Sequence, residues 1–404
     1  MRKYLIFFSL GLVTFVFTYG FIHLKHLPLA RDTQQVNAAK NIDFARKQLR
    51  FYLNQHKDPT QFPRSVNHDG TVTLVKAGDW TSGFFPGELW YLYKQTRNYY
   101  WKKKAEAWTN SLRNQQFNTG THDVGFMMNC SFGNGFLFSD HPQYKKVLMQ
   151  SAKSLSSRFN KKVGAIKSWD STDWQYPVII DNMMNLELLF RATQISGDST
   201  FYHIAKTHAL STLKHQFRPD GSSFHVVNYD TSTGRVLWQG TSQGYADSST
   251  WARGEAWGLY GFTMAYRFTR DQRFLKQAKK IAHFILTNPN LPEDNIPFWD
   301  YDAPNIPKAP RDVSAAAIMS SAFLELSSYT DKSEQEEYTN AAEKILKNLS
   351  TPKYRARKVG ANEGFILKKS VGNKPSNSEV SVPMIYADYY YLEANIRYLK
   401  MKKD

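Results

Sequence analysis

The sequence predicts an all-α fold in which helices follow one another as antiparallel pairs and close into a toroid. Three observations predict it. Apolar residues recur at helical spacing in eleven segments after an initial helix, separated by Gly, Pro, Asn and Asp breaks. Strand patterns are few and do not alternate singly with helices, which argues against a parallel α/β sheet. No fixed repeat length recurs, which disfavours an open solenoid and leaves a closed ring of hairpins.

The chain starts with "MRKYLIFFSLGLVTFVFTYGFIHLKH", a positive start followed by an almost uncharged apolar run over residues 4–22. This predicts a signal peptide or membrane anchor within residues 1–30 and an exported protein: secreted, periplasmic or at the cell surface. No small-x-small cleavage pattern follows the run, so both readings stay open. Residues 34–404 read as a single domain without an internal linker.

Val36, Ala39, Ile42, Leu49 and Tyr52 share one face of the first helix. Further helices are predicted at roughly 83–97, 102–117, 124–138, 142–159, 178–195, 198–216, 250–269, 271–287, 311–328, 332–348 and 380–400. Between them, "SSFHVVNY" and "RVLWQG" flank "DTSTG" as a β-hairpin, and "GFILKKSVG" reads as another strand.

Of 404 residues, 42% are apolar and 15% aromatic, enough for a large core and for clefts that stack sugar rings. A net charge of +17 favours an anionic partner such as a polysaccharide acid, nucleic acid or anionic lipid. The excess is scattered Lys without a compact basic run or RNA-binding signature, which argues against nucleic acid. A single cysteine, Cys130, excludes an intramolecular disulfide and a Cys-based zinc cluster. No H-E-x-x-H or EF-hand pattern is present, and nothing in the sequence points to a metal site.

In "VIIDNMMN", Asp181 sits among apolar neighbours that would desolvate it, raise its pKa and suit it to proton transfer. Taken alone, the same residue also reads as a helix N-terminal acid with a lowered pKa. Asp123 in "THDVGFMMN" has the same two readings, but the repeated "MMN" triplet (127–129 and 183–185) predicts equivalent helices facing one cleft. Paired carboxyls there match glycosidic chemistry. "GTSQG" around Ser242 matches a nucleophile elbow only formally, since the parallel sheet it needs is missing. In "DSSTWARGEAWGLYGF", Arg253 lies between Trp251 and Trp257 and reads either as the forked donor that clamps a carboxylate or as an Arg packed against Trp at the edge of the core.

Together, "DWTSGFFPGELW", "THDVGF", "PVIIDNMMNLELLF", "TSQGYADSSTWARGEAWGLYGF", "DVSAAAIMSSAFLEL" and "YADYYYLEA" resemble the unsaturated glucuronyl hydrolases of glycoside hydrolase family 88, from about residue 40 to the C-terminus. The resemblance implies an (α/α)6 barrel without a cofactor. Its implied substrates are unsaturated uronate-containing oligosaccharides of chondroitin, hyaluronan or heparin type, released by polysaccharide lyases. The implied reaction hydrates the C4=C5 double bond of the terminal uronate.

By motif, Asp181 would protonate C4 and accept a proton from the water adding at C5. Asp123 would hold ring hydroxyls, Arg253 the uronate carboxylate and Trp80 the ring face, with His225, Gln243 and Trp257 as neighbours. Ser370, Asn373 and Lys374, in "KKSVGNKPSNSE", could read a sulfate on the leaving sugar, or belong to a solvated loop. Glu255 departs from the Gln expected in W-A-R-G-Q-A-W and raises the prospect of like-charge repulsion near the uronate. The related unsaturated rhamnogalacturonyl hydrolases are the second enzymatic reading, disfavoured by H-D-x-G-F and by Asn after Asp181. A membrane-tethered polyanion-binding protein is the non-enzymatic one.

Overall fold

Helices striped on one side alternate along the chain with helices that are buried over most of their surface, and the two kinds form two concentric rings. The structure, a computed structural model, describes residues 36–139 and 141–403; the predicted segment at 1–30 lies outside them. From Val36 onward the chain forms one compact unit.

In chain order the helices are α1 (Ala38–Gln55), α2 (Phe84–Thr96), α3 (Tyr99–Ser111), α4 (Val124–Met128), α5 (Asn134–Ser139), α6 (Pro142–Ser156) and α7 (Asn182–Ser196). They continue as α8 (Ser199–His215), α9 (Ala252–Thr269), α10 (Gln272–Thr287), α11 (Val313–Leu326), α12 (Lys332–Leu349) and α13 (Ile385–Met401). The inner ring is α2, α4 with α5, α7, α9, α11 and α13, each touching the next, and α13 closes the ring on α2. The outer helices α1, α3, α6, α8, α10 and α12 pack on the backs of these.

The outer pattern is plain in α10, where Phe274, Ala278, Ile281, Ala282 and Ile285 form its inward stripe and Asp271 caps its start by accepting from the Arg273 N–H. Inner helices carry Gly and Ala in place of large residues where neighbours approach: the Cβ that Gly261 lacks would lie 2.5 Å from the Met183 Cβ. Among the described residues no helix is long and apolar enough to cross a membrane.

Connections from inner to outer helices are mostly short, such as Gly197–Asp198, where Gly197 takes a left-handed φ of 77°. Connections from outer to inner helices are long and carry the strands. They hold β1 (Phe62–Val66) with β2 (Val72–Val75), β3 (Phe159–Asn160) with β4 (Ala165–Ile166), β5 (Pro177–Ile179) with β6 (Val226–Tyr229) and β7 (Val236–Gly240), and β8 (Ser370–Asn373) with β9 (Ser378–Val382). All pair antiparallel. Every long connection leads into the N-terminus of an inner helix, so elaborated loops crowd one end of the toroid.

The other end is tied by charge. Arg191 and Arg267 share Glu187, Arg267 and Arg397 share Glu325, and Arg397 also faces Glu393, linking α7, α9, α11 and α13.

Several sequence expectations need correction. The helix expected from residue 178 starts at Asn182, because Pro177–Ile179 pairs with β6 and becomes a strand; Pro177 therefore opens β5 rather than a helix. The helix expected over 102–117 ends at Ser111 and continues as a 3-10 turn, and that over 124–138 is interrupted by a π turn at Asn129–Gly133. Helix 380–400 begins only at Ile385, since residues 378–382 pair with β8, and of "GFILKKSVG" only the end is strand.

Candidate active site

A cleft of about 450 Å³ opens at the long-loop end. Trp80 lies just before α2, His122 and Asp123 just before α4, Asp181 before α7, Arg253 in the first turn of α9 and Tyr386 in the first turn of α13, and all line it. Inner helices thus aim their N-termini, with their positive dipole ends, at this cleft.

Asp181 occupies an N-cap position but caps nothing, so the simple capping reading fails. Its side chain is only 14% exposed, and Oδ2 is buried without a hydrogen-bond partner. Burial pushes its pKa up to about 7, against the pull of Arg253 and with a smaller push from Asp123. The desolvation expected from its apolar neighbours is therefore present in the free protein.

Each acid is faced by a neutral histidine whose proton is placed by its surroundings. His225 accepts at Nδ1 from the backbone N–H of Ser242 and Gln243, so Nε2 carries its hydrogen, 3.6 Å from Asp181 Oδ2. Burial, with Arg253 nearby, lowers the His225 pKa to about 3. On the other side Asn185 Oδ1 accepts from the Phe126 N–H at 2.7 Å, which turns its amide nitrogen toward His122 Nδ1 at 3.2 Å. His122, its pKa lowered by burial, then presents Nε2–H to Asp123 Oδ1 at 3.3 Å. Asp123 also accepts from Thr121 Oγ1 and, like Asp181, caps nothing.

The two "MMN" helices are neighbouring inner helices as expected, but their asparagines are not equivalent. Asn185 orients His122, whereas Asn129 accepts from Arg191.

Arg253 is 2% exposed and reaches Asp312, the Val371 carbonyl and the Gly372 carbonyl. Three of its five N–H groups are thereby engaged, leaving two for a ligand. Gln243 bonds the Gly372 carbonyl from Nε2, and Asn373 lines the cleft beside it. At the rim, Arg64 forms paired bonds to both Glu379 and Asp79.

Seven expected site residues thus converge: Asp123, Asp181, Trp80, His225, Gln243, Arg253 and Asn373. Three do not line the cleft. Trp257 is one helical turn below Arg253, fully buried, its indole N–H facing the Asp181 carboxyl without closing a hydrogen bond. Ser370 sits at the buried root of the β8–β9 hairpin, and Lys374 lies in its turn outside the lining, where Ser376 and Ser378 stand instead. Glu255 is also away from the cleft: it is about 200° around α9 from Arg253 and accepts from the Ser223 N–H and Oγ at 2.7 and 2.6 Å. Like-charge repulsion of a bound uronate therefore does not arise from it.

Sequence reasoning missed His122, Trp169 and Tyr386 as lining residues. His122 and Tyr386 stand inside the recognised segments "THDVGF" and "YADYYYLEA". Trp169 follows the short β4 strand and carries no local signal.

A ring of six helical hairpins with two histidine-faced carboxyls at its loop end is an arrangement suited to glycosidic chemistry. No family model matches the chain. The unsaturated glucuronyl hydrolase of Formosa agariphila is 46% identical over 89% of this chain and 90% of its own. The crystal structure of an unsaturated glucuronyl hydrolase specific for heparin superposes with a TM-score of 0.88 at 48% identity, covering 91% of this chain and 98% of its own. A solved unsaturated glucuronyl hydrolase described with dGlcA-Glc-Rha-Glc superposes at a TM-score of 0.84 and 30% identity, over 89% of this chain and 96% of its own. The chain belongs to the unsaturated glucuronyl hydrolase family.

Proposed function

We propose that the cleft hydrates the C4=C5 double bond of a terminal unsaturated glucuronate on glycosaminoglycan-type oligosaccharides, with Asp181 as the proton donor and acceptor. The observation that carries this reading is the desolvated Asp181 carboxyl, poised to ionise near pH 7, with the neutral His225 N–H on one side and Arg253 on the other.

Protonated Asp181 gives its proton to C4; the π electrons form the new C4–H bond and leave a cation shared by C5 and the ring oxygen. Asp123, across the cleft, holds ring hydroxyls and offers negative charge to that cation. Water adds at C5 while the Asp181 carboxylate takes its proton, which restores the acid. The C5 hemiketal then opens to a ketone, the ring oxygen becomes a hydroxyl on C1, and C1 collapses to an aldehyde as the remaining sugar leaves. The two free N–H groups of Arg253 and the converging helix N-termini hold the substrate carboxylate. Trp80, its ring 5.0 Å from that of Tyr386, offers an apolar face to the sugar.

The test is loss of the double bond's ultraviolet absorbance on a panel of unsaturated disaccharides differing in sulfation. Heparin-type members come first, given the heparin-specific relative at 48% identity. Unchanged absorbance for every member with folded protein defeats the proposal. We also propose export through residues 4–22; recovery of the full-length protein in the cytosol on fractionation would contradict it.

A further inference from the structure

We propose that Trp174 and Trp238 form a second sugar-binding platform, outside the cleft, that takes sugar rings beyond the leaving sugar in substrates longer than a disaccharide. The proposal rests on the preceding function and extends it to tri- and tetrasaccharides.

Seven of the ten tryptophans belong to or pack against the apolar clusters of the protein; Trp169, Trp174 and Trp238 do not. These three are half-buried and form a continuous path. Trp169 lines the cleft, its ring lies 6.1 Å from that of Trp174, and Trp174 stacks on Trp238 at 5.4 Å and 17°. Each keeps part of its indole accessible at the surface, where it offers flat, partly apolar area to a ligand.

The placement is also built. Trp174 sits on the loop between β4 and β5, where Ser171 Oγ accepts its backbone N–H, and Gln175 anchors the loop to Thr231. Trp238 projects from β7, whose pairing with β6 fixes its position. Of the exposed acids on this loop, Asp170 is balanced by Lys167 and Arg158, while Asp173 projects into solvent. Flat, partly apolar surface continuous with a sugar-cleaving cleft suits the faces of pyranose rings, and commits the occupant to the reducing-side rings of the same oligosaccharide. Because this contact is remote from C4 and C5, it contributes equally to substrate and transition state and acts on KM.

The experiment compares Trp174→Ala, Trp238→Ala and Trp174→Phe with the wild type on a heparin-type unsaturated disaccharide and on the unsaturated tetrasaccharide from the same polysaccharide. Each alanine variant is expected to raise KM for the tetrasaccharide roughly five- to tenfold, with disaccharide kinetics unchanged and Trp174→Phe in between. Unchanged tetrasaccharide KM in Trp174→Ala, or equal losses on both substrates, overturns the platform. Turnover of neither substrate by the wild type overturns the underlying function, and the platform with it.

Discussion

Asp181 shows how much one residue's surroundings decide. Its neighbours Ile180 and Met183 are fully buried, and the resulting desolvation holds the carboxyl protonated to about pH 7. The acid must be protonated to attack C4, so kcat/KM falls as pH rises through about 7, a limb that a pH–rate profile reads directly. Glu255 also titrates near 7 because it is buried, but it bonds Ser223 outside the cleft. Glu255→Gln is therefore expected to leave that limb in place; its disappearance would move the ionisation away from Asp181. Asn185→Ala removes both the orientation of His122 and the partner of the buried Phe126 N–H. It should lower kcat more than it raises KM and cost about 1–3 kcal/mol of stability in denaturant titration. At this scale both acids, Trp80 and Arg253 were legible because they sit in short motifs. Trp257, Ser370 and Lys374 were misplaced because sequence proximity does not say which side of a helix, or which end of a hairpin, faces the cleft.

At the scale of elements, close approach explains the glycine of H-D-x-G-F. A Cβ on Gly125 would lie 2.4 Å from the Asn185 Cα, so α4 and α7 meet only at glycine. Gly125→Ala should force the two helices apart, costing about 1–3 kcal/mol or more, and should reduce activity together with the melting temperature. Between α2 and α13 lies a second buried acid pair, Glu88 and Asp388. Burial raises both: Glu88 lies well above its ordinary value with neither oxygen partnered, and Asp388 is raised against the pull of the Ile366 and Leu367 N–H groups. An acid raised in the folded state contributes stability below its unfolded pKa and loses it as pH rises through the folded one. Above about pH 6.5, where the buried neutral histidines no longer add stability with rising pH, thermal stability should therefore decline, and Glu88→Gln should lessen that decline in melting curves taken across the range. Helix order was legible because apolar residues recur at helical spacing between Gly, Pro, Asn and Asp breaks. The three-residue β5 was not, since its pairing with β6 depends on a partner some fifty positions away in sequence.

Across residues 36–403, the alternation of long and short connections gathers the cleft-lining side chains from separate hairpins at one end, while ion pairs tie helices at the other. The net charge of +17 favours capture of an anionic oligosaccharide by long-range steering, so kcat/KM should fall as salt is raised while kcat stays nearly constant. Closure of the ring itself left no local mark in the sequence, because it depends on α13 meeting α2 across most of the chain.

Whether Asp181 supplies and recovers the proton for hydration is read from Asp181→Asn, with kcat followed as loss of the unsaturated disaccharide's ultraviolet absorbance and affinity measured separately by equilibrium binding. The variant is expected to fold, with kcat reduced by about 10²–10⁴-fold and affinity within a few-fold of wild type. A variant that retains wild-type turnover would contradict that role.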